Sequence, residues 1–150
     1  MKSLKWTFLV LALFAFALNS CKKSSDNKPA ATNSIALKFN GTAYSTSTIT
    51  AAYSKGALQI IATYVDGSSL YIAIPSNVKV GSFDLATGAG AATFSTSATE
   101  AFIGETGNIT ITSFTSTTVA GTFAFTGPDV SNSHTGTVTN GTFQTTYASQ

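Results

Sequence analysis

The stretch "ALQIIATYVDGSSLYIAI", residues 57–74, decides the fold. Leu58, Ile60, Ala62 and Tyr64 fall on one parity, and Leu70, Ile72 and Ile74 repeat the pattern after a polar break. Period two marks a strand with one buried face, because successive side chains point to opposite sides of a pleated backbone. A helix would place apolar residues at i, i+3, i+4 and i+7, and no window from Ile35 onward does so with helix formers between. Asp66-Gly67 lies in the break and supplies a turn, so the stretch predicts a hairpin whose second strand ends at Pro75. Ile61 and Val65 take the other parity, which predicts cover on both faces of the first strand.

The same period recurs on either side. "IALKFN" (35–40) sets Ile35, Leu37 and Phe39 on one face. "GSFDLAT" (81–87) and "AATFSTS" (91–97) read as short strands around a turn at Gly88-Ala89-Gly90. "NITITSF" (108–114) turns Ile109 and Ile111 inward. "TVAGTFAFTG" (118–127) aligns Val119, Phe123 and Phe125 with Gly121 in register between them, and Gly127-Pro128-Asp129 reads as a turn. In "TGTVTNGTFQTTY" (135–147), Val138 has the opposite parity to Phe143, Thr145 and Tyr147, so Asn140-Gly141 marks a bulge or tight turn that resets the alternation. "GTF" occurs at 121–123 and at 141–143, a glycine beside an aromatic that reads as a packing device and not as a repeat. The three Asn-x-Ser/Thr triplets, at Asn40, Asn108 and Asn140, read as chance matches to the glycosylation sequon. Strands spaced about ten residues apart predict an all-β domain, an antiparallel β-sandwich or a small β-barrel of eight to ten short strands.

Charged residues make up only 9% of the 150-residue chain, which suits strands better than helices. The net charge of +2 is unevenly placed. Five of the eight lysines precede residue 30, and from Ile35 onward three lysines face five acids, leaving the domain at about −2. Arginine, the usual reader of phosphate and of guanine edges, is absent, which argues against nucleic-acid binding.

The N-terminal segment carries the basic excess. Lys2 and Lys5 precede "WTFLVLALFAFAL" (6–18), an uncharged run of 13 residues. A spanning helix needs about 20, whereas a signal-peptide core needs fewer. Leu18-Asn19-Ser20-Cys21 follows and resembles the lipobox of bacterial lipoproteins: an apolar residue, a small one, then the cysteine. The resemblance implies that Cys21 is diacylated and becomes the new N-terminus, anchoring the chain to a membrane through lipid. Cys21 is the only cysteine, so it has no disulfide partner within the chain. Residues 1–20 thus read as a lipoprotein signal peptide, 21–34 as a flexible tether and 35–150 as the all-β domain. At 5–6 Å times the square root of its length, the tether reaches roughly 20 Å.

Chemistry is sparse. His134, the single histidine, can be drawn as a base paired with Asp129, but in "SNSHTG" it reads as a solvated loop residue. Glu100 and Glu105 flank "AFIG" and suggest no facing acid pair. One histidine and no further cysteine give no zinc set, and no Asp-x-Asp-x-Asp run or phosphate-cradling loop exists. The expectation is no enzyme, no cofactor and no metal. Tyr44, Tyr53, Tyr64 and Tyr71 offer an aromatic platform for sugars, although tyrosines on strands more often pack in cores. A hollow barrel would instead hold a small apolar ligand.

The lipobox, "LKFNGTAY", "GNITITS" followed by "VAGTFAFTG", and a closing "VTNGTF" occur in that order. Together they resemble small lipoproteins of Bacteroidota that carry domains of unknown function. The resemblance implies an all-β domain on the outer membrane and transfers no catalytic residue. The expected role is a lipid-anchored cell-envelope lipoprotein with a structural or accessory interaction domain. The alternative is a binding lipoprotein for a glycan or small apolar ligand. The expected partners are the membrane, envelope proteins or glycans, and no nucleic acid.

Overall fold

The computed structural model describes residues 32–149. Twelve strands and no helix occur among them: β1 (Ser34–Phe39), β2 (Thr42–Thr46), β3 (Ile49–Ser54), β4 (Ala57–Thr63), β5 (Ser69–Ile74), β6 (Gly81–Asp84), β7 (Ala91–Ser95), β8 (Ala101–Ile103), β9 (Thr106–Phe114), β10 (Thr118–Pro128), β11 (Thr135–Thr146) and β12 (Ala148–Ser149). They form two six-stranded sheets, ordered β2-β1-β11-β10-β9-β6 and β12-β3-β4-β5-β7-β8. Every pairing is antiparallel except the two-residue contact of β12 with β3. The domain is therefore a sandwich, with the interior filled by the inward parity of both sheets.

The opening hairpin lies at the centre of the second sheet. Leu58, Ile60 and Ala62 of β4 and Leu70, Ile72 and Ile74 of β5 are at most 1% exposed. Its turn is longer than two residues. The Tyr64 amide donates to the Ser68 carbonyl and the Gly67 amide to the Tyr64 carbonyl, with Gly67 at φ +85°. Asp66 Oδ1 accepts from the Ser68 amide and hydroxyl and fixes the exit. The outer face of β4 is uncovered, contrary to the sequence expectation: Ile61 is 46% exposed and Val65 lies open in the turn.

Two other expectations change. "GSFDLAT" and "AATFSTS" do not pair: β6 lies against β9 in the first sheet, and β7 against β5 in the second. Gly88-Ala89-Gly90 thus belongs to a crossover between sheets. Gly127-Pro128 continues β10 opposite Gly136 and Thr135, and the reversal comes after Asp129. Pro128 is tolerated because β9 ends opposite Thr126, so the donor that proline lacks is not missed in that ladder. The strands unforeseen in the sequence are short or poor in large apolar residues. β2 buries no residue fully, β3 buries only Ala51, and β8 has three residues.

β10 and β11 are the longest strands, and glycines set their pairing. Gly121 lies opposite Phe143, and Phe123 lies opposite Gly141. Each phenylalanine ring covers the glycine across from it, and the two ring centroids are 6.2 Å apart. Beyond Gly141 the β11 register shifts, with Asn140 at φ +52°, so that Phe125 meets Val138 and both stay inside. This is the bulge that the parity change at Asn140-Gly141 predicts.

Aromatic rings close both ends of the aliphatic core. At one end Phe39 lies 4.7 Å from Phe94 and 4.9 Å from Phe102, centroid to centroid, with Tyr44 and Tyr64 edge-on beside Phe94. At the other, Tyr53 meets Phe114 and Tyr147, which stack on each other. Each group spans both sheets, and such pairs add about 0.5–1.5 kcal/mol each beyond burial.

The reciprocal glycine–phenylalanine pairs give the first test. A Cβ on Gly121 would meet the Thr110 carbonyl oxygen at 2.3 Å and Phe143 Cζ at 2.7 Å. On Gly141 it would meet the Phe123 carbonyl oxygen at 2.4 Å. Gly121→Ala and Gly141→Ala should each lose about 1–3 kcal/mol or more in denaturant unfolding, the range of an overpacked core. Wild-type midpoints for both variants would remove this account of the register.

Candidate functional site

Among the described residues, a group of ionisable side chains gathers where β10 turns into β11. Asp129 directly follows β10, and its amide donates to the His134 carbonyl at 2.8 Å. The Asn132 amide donates to the Asp129 carbonyl, and Asn132 takes φ +56°. The Asp129 carboxylate organises the loop from within: Oδ1 accepts from the Ser133 amide at 2.7 Å, and Oδ2 from the Ser131 hydroxyl at 2.9 Å. His134 Nδ1 lies 3.2 Å from Oδ2. Asp129 is 5% exposed, while the His134 side chain is 74% exposed. Burial alone would raise the Asp129 carboxyl, but the Ser133 amide, the Ser131 hydroxyl and His134 outweigh it and hold it at about 2.

The second sheet supplies a third group. Asp129 bridges to Phe102 of β8, and the Val130 amide donates to the Ala101 carbonyl at 3.0 Å. That docking brings in Glu100, just before β8, whose carboxylate accepts from the Thr96 hydroxyl. One donor atom each from Glu100, Asp129 and His134 then lie within 4.8 Å of one another. The Asp129–His134 pairing drawn from the sequence is therefore present, and Glu100 joins it. Glu105 does not, since it lies at the other end of β8 with its amide on the Thr126 carbonyl. The serines two and four residues after Asp129 were the legible signal for a side-chain-organised turn. The approach of Glu100 is long-range and left no trace in the local sequence.

The four tyrosines of the sugar-platform reading part company. Tyr44 and Tyr64 pack edge-on at 5.5 Å at one end of the core, Tyr53 joins the cluster at the other, and Tyr71 is on the outer face of β5. Beside Tyr44 and Tyr64 is an open depression of about 350 Å³, bordered also by Val65 and Asp66. The Tyr64 hydroxyl is buried without a hydrogen-bond partner. Burial, and then the nearby Asp66 charge, push its ionisation far above the ordinary tyrosine range.

The outer faces of the sheets differ. On the first, Thr142, Thr122, Thr110 and Ser82 lie side by side across four strands, beside an open depression of about 480 Å³. On the second, Thr50, Ile61, Tyr71, Thr93 and Ile103 form an uncharged row across five strands, with Ile61 and Ile103 nearly half exposed. Cys21, the expected lipid-attachment residue, lies outside the described residues.

Residues 31–146 match the family described as a domain of unknown function, DUF6252, and the chain belongs to that family. No curated protein and no solved structure matches.

Two pH responses follow from these sites. Asp129 has its folded value below that of an unfolded aspartate, near 3.9, so its stabilising contribution is present above about pH 4 and fades toward about pH 2. Asp129→Asn should lower Tm at neutral pH and flatten the Tm profile across that acid window. Tyr64 is shifted the other way, so its contribution is complete below about pH 10 and fades as unfolded tyrosine ionises above it. Tyr64→Phe removes an unpartnered buried hydroxyl. It should be neutral or stabilising by about 1 kcal/mol at pH 7 and should lessen the alkaline loss of Tm. A destabilised Tyr64→Phe variant would show that the hydroxyl has a partner.

Proposed function

We propose that this DUF6252 protein is a lipid-anchored lipoprotein of the bacterial cell envelope, of the Bacteroidota type, whose β-sandwich is a non-enzymatic structural or accessory interaction domain. The observation that carries the reading is the order Lys2 and Lys5, the uncharged run 6–18, then Leu18-Asn19-Ser20-Cys21. A thiol is the side chain that takes a thioether-linked lipid. Several acyl chains, at about 0.8 kcal/mol per buried CH₂, hold a protein at a bilayer where a single chain is marginal. In this reading residues 1–20 are the signal peptide and residues 21–34 the tether, which begins at the attachment point Cys21. Lys22 after the cysteine is not the aspartate that resembles an inner-membrane retention signal, which favours the outer membrane.

Two features of the sandwich support an interaction role. Its inward faces are filled with packed aliphatic and aromatic side chains, and its most apolar exposed row, through Ile61, Tyr71 and Ile103, is uncharged. A second reading, binding of a small ligand, draws on the depression beside Tyr44 and the buried, unpartnered Tyr64 hydroxyl.

Growth with a clickable fatty acid tests the anchor. Label should enter the wild-type protein and vanish in Cys21→Ser, which should also leave the membrane fraction. Label that persists in Cys21→Ser would sink the assignment.

A further inference from the structure

The geometry points to a binding site for a divalent transition ion of the zinc class at Glu100, Asp129 and His134. One imidazole and two carboxylates form the mixed nitrogen–oxygen set that such ions take, whereas calcium and magnesium favour oxygen alone. With bonds of 2.0–2.1 Å, neighbouring donors on a zinc tetrahedron are about 3.3 Å apart. His134 Nδ1 and Asp129 Oδ2 are 3.2 Å apart already. Glu100 must close the remaining distance from within 4.8 Å, which a side-chain torsion of this long residue supplies.

The surroundings are those of a supported ligand set. The Ser133 amide and Ser131 hydroxyl fix the Asp129 carboxylate, and the Thr96 hydroxyl steadies Glu100. Outer contacts of this kind orient metal-ligating carboxylates and commonly matter 10–100-fold in affinity. An ion here would exchange the His134–Asp129 contact for two coordinate bonds. Three protein ligands leave a fourth position on the exposed His134 side, open to water or to a donor from another molecule. The ion would also tie the Glu100 segment of one sheet to the β10–β11 turn of the other, beside the Phe102–Asp129 bridge. The site is independent of the lipid anchor.

The test is titration of Zn²⁺ alone into the detergent-purified, chelator-treated full chain, followed by calorimetry, native mass spectrometry and Tm. A Cys21→Ser background removes the thiol as a rival ligand. One Zn²⁺ per chain should bind, Tm should rise with Zn²⁺ concentration, and Co²⁺ should give tetrahedral visible bands. Glu100→Gln keeps an oxygen that can accept from Thr96, so its metal-free Tm should match the parent while affinity falls on the order of 100-fold. His134→Ala should lower the affinity likewise, with a metal-free Tm reduced by the loss of its contact with Asp129. Absence of binding at micromolar Zn²⁺, or binding unchanged in both variants, would overturn the site.

Discussion

Phe123 and Phe143 each lie over the glycine opposite, and much of the sandwich hangs on that exchange. The two rings need the space that Gly121 and Gly141 leave, so β10 and β11 can meet in one register only. With that register set, the extra residue at Asn140 returns Val138 to the interior beside Phe125. Gly136 then faces Phe39 and Phe102, where a Cβ would come within 2.6 Å of both rings. The far end of the hairpin is thereby delivered to β8, and with it Asp129 and His134 to Glu100. A slip of one residue would reverse every side chain and dissolve both core and cluster.

The parts legible in the sequence were those written locally. Alternation placed Ile35, Leu37, Leu58, Ile60, Ile109 and Phe123 inside without any knowledge of partners, because one buried face imposes period two on its own strand. The parity break at Asn140 was equally local. Partner choice was not. "GSFDLAT" and "AATFSTS" are neighbours in the chain yet join different sheets, β6 as the edge strand beside β9 and β7 between β5 and β8. "TAYST" and "AFI" contribute too little apolar surface to announce themselves, and are held as strands by neighbours that do. The candidate site divides the same way: the Asp129 turn is in its serines, while Glu100 arrives through a bridge between sheets.

The domain combines an interior filled with aliphatic and aromatic side chains with outer faces on which Thr, Ser, Ile and Tyr lie side by side. Aromatic rings pack the two sheets together at both ends, beside the backbone contacts of Val130 with Ala101 and of β12 with β3. The ionised groups that are ordered sit mainly in turns: Asp66 caps the β4–β5 turn, Asp84 accepts the Ala86 amide, and Asp129 organises the last hairpin. In each case a carboxylate replaces backbone partners that the ladder cannot supply at a reversal. The Asp129 turn is docked against β8 of the second sheet, which brings Glu100 beside it.

The two-residue strand β12 has a consequence for how copies of this protein coexist. After β11 the chain leaves the first sheet and lays Ala148 and Ser149 along β3, covering part of that strand's free backbone. At the other end of the same sheet, three-residue β8 is engaged by Asp129 and Val130. Bare strand edges recruit other strands, and most proteins deter this with charge. This chain has little charge to spend. In the second sheet the defence against edge-to-edge aggregation is instead geometric, with part of β3 covered by β12 and the short β8 engaged by the Asp129 turn.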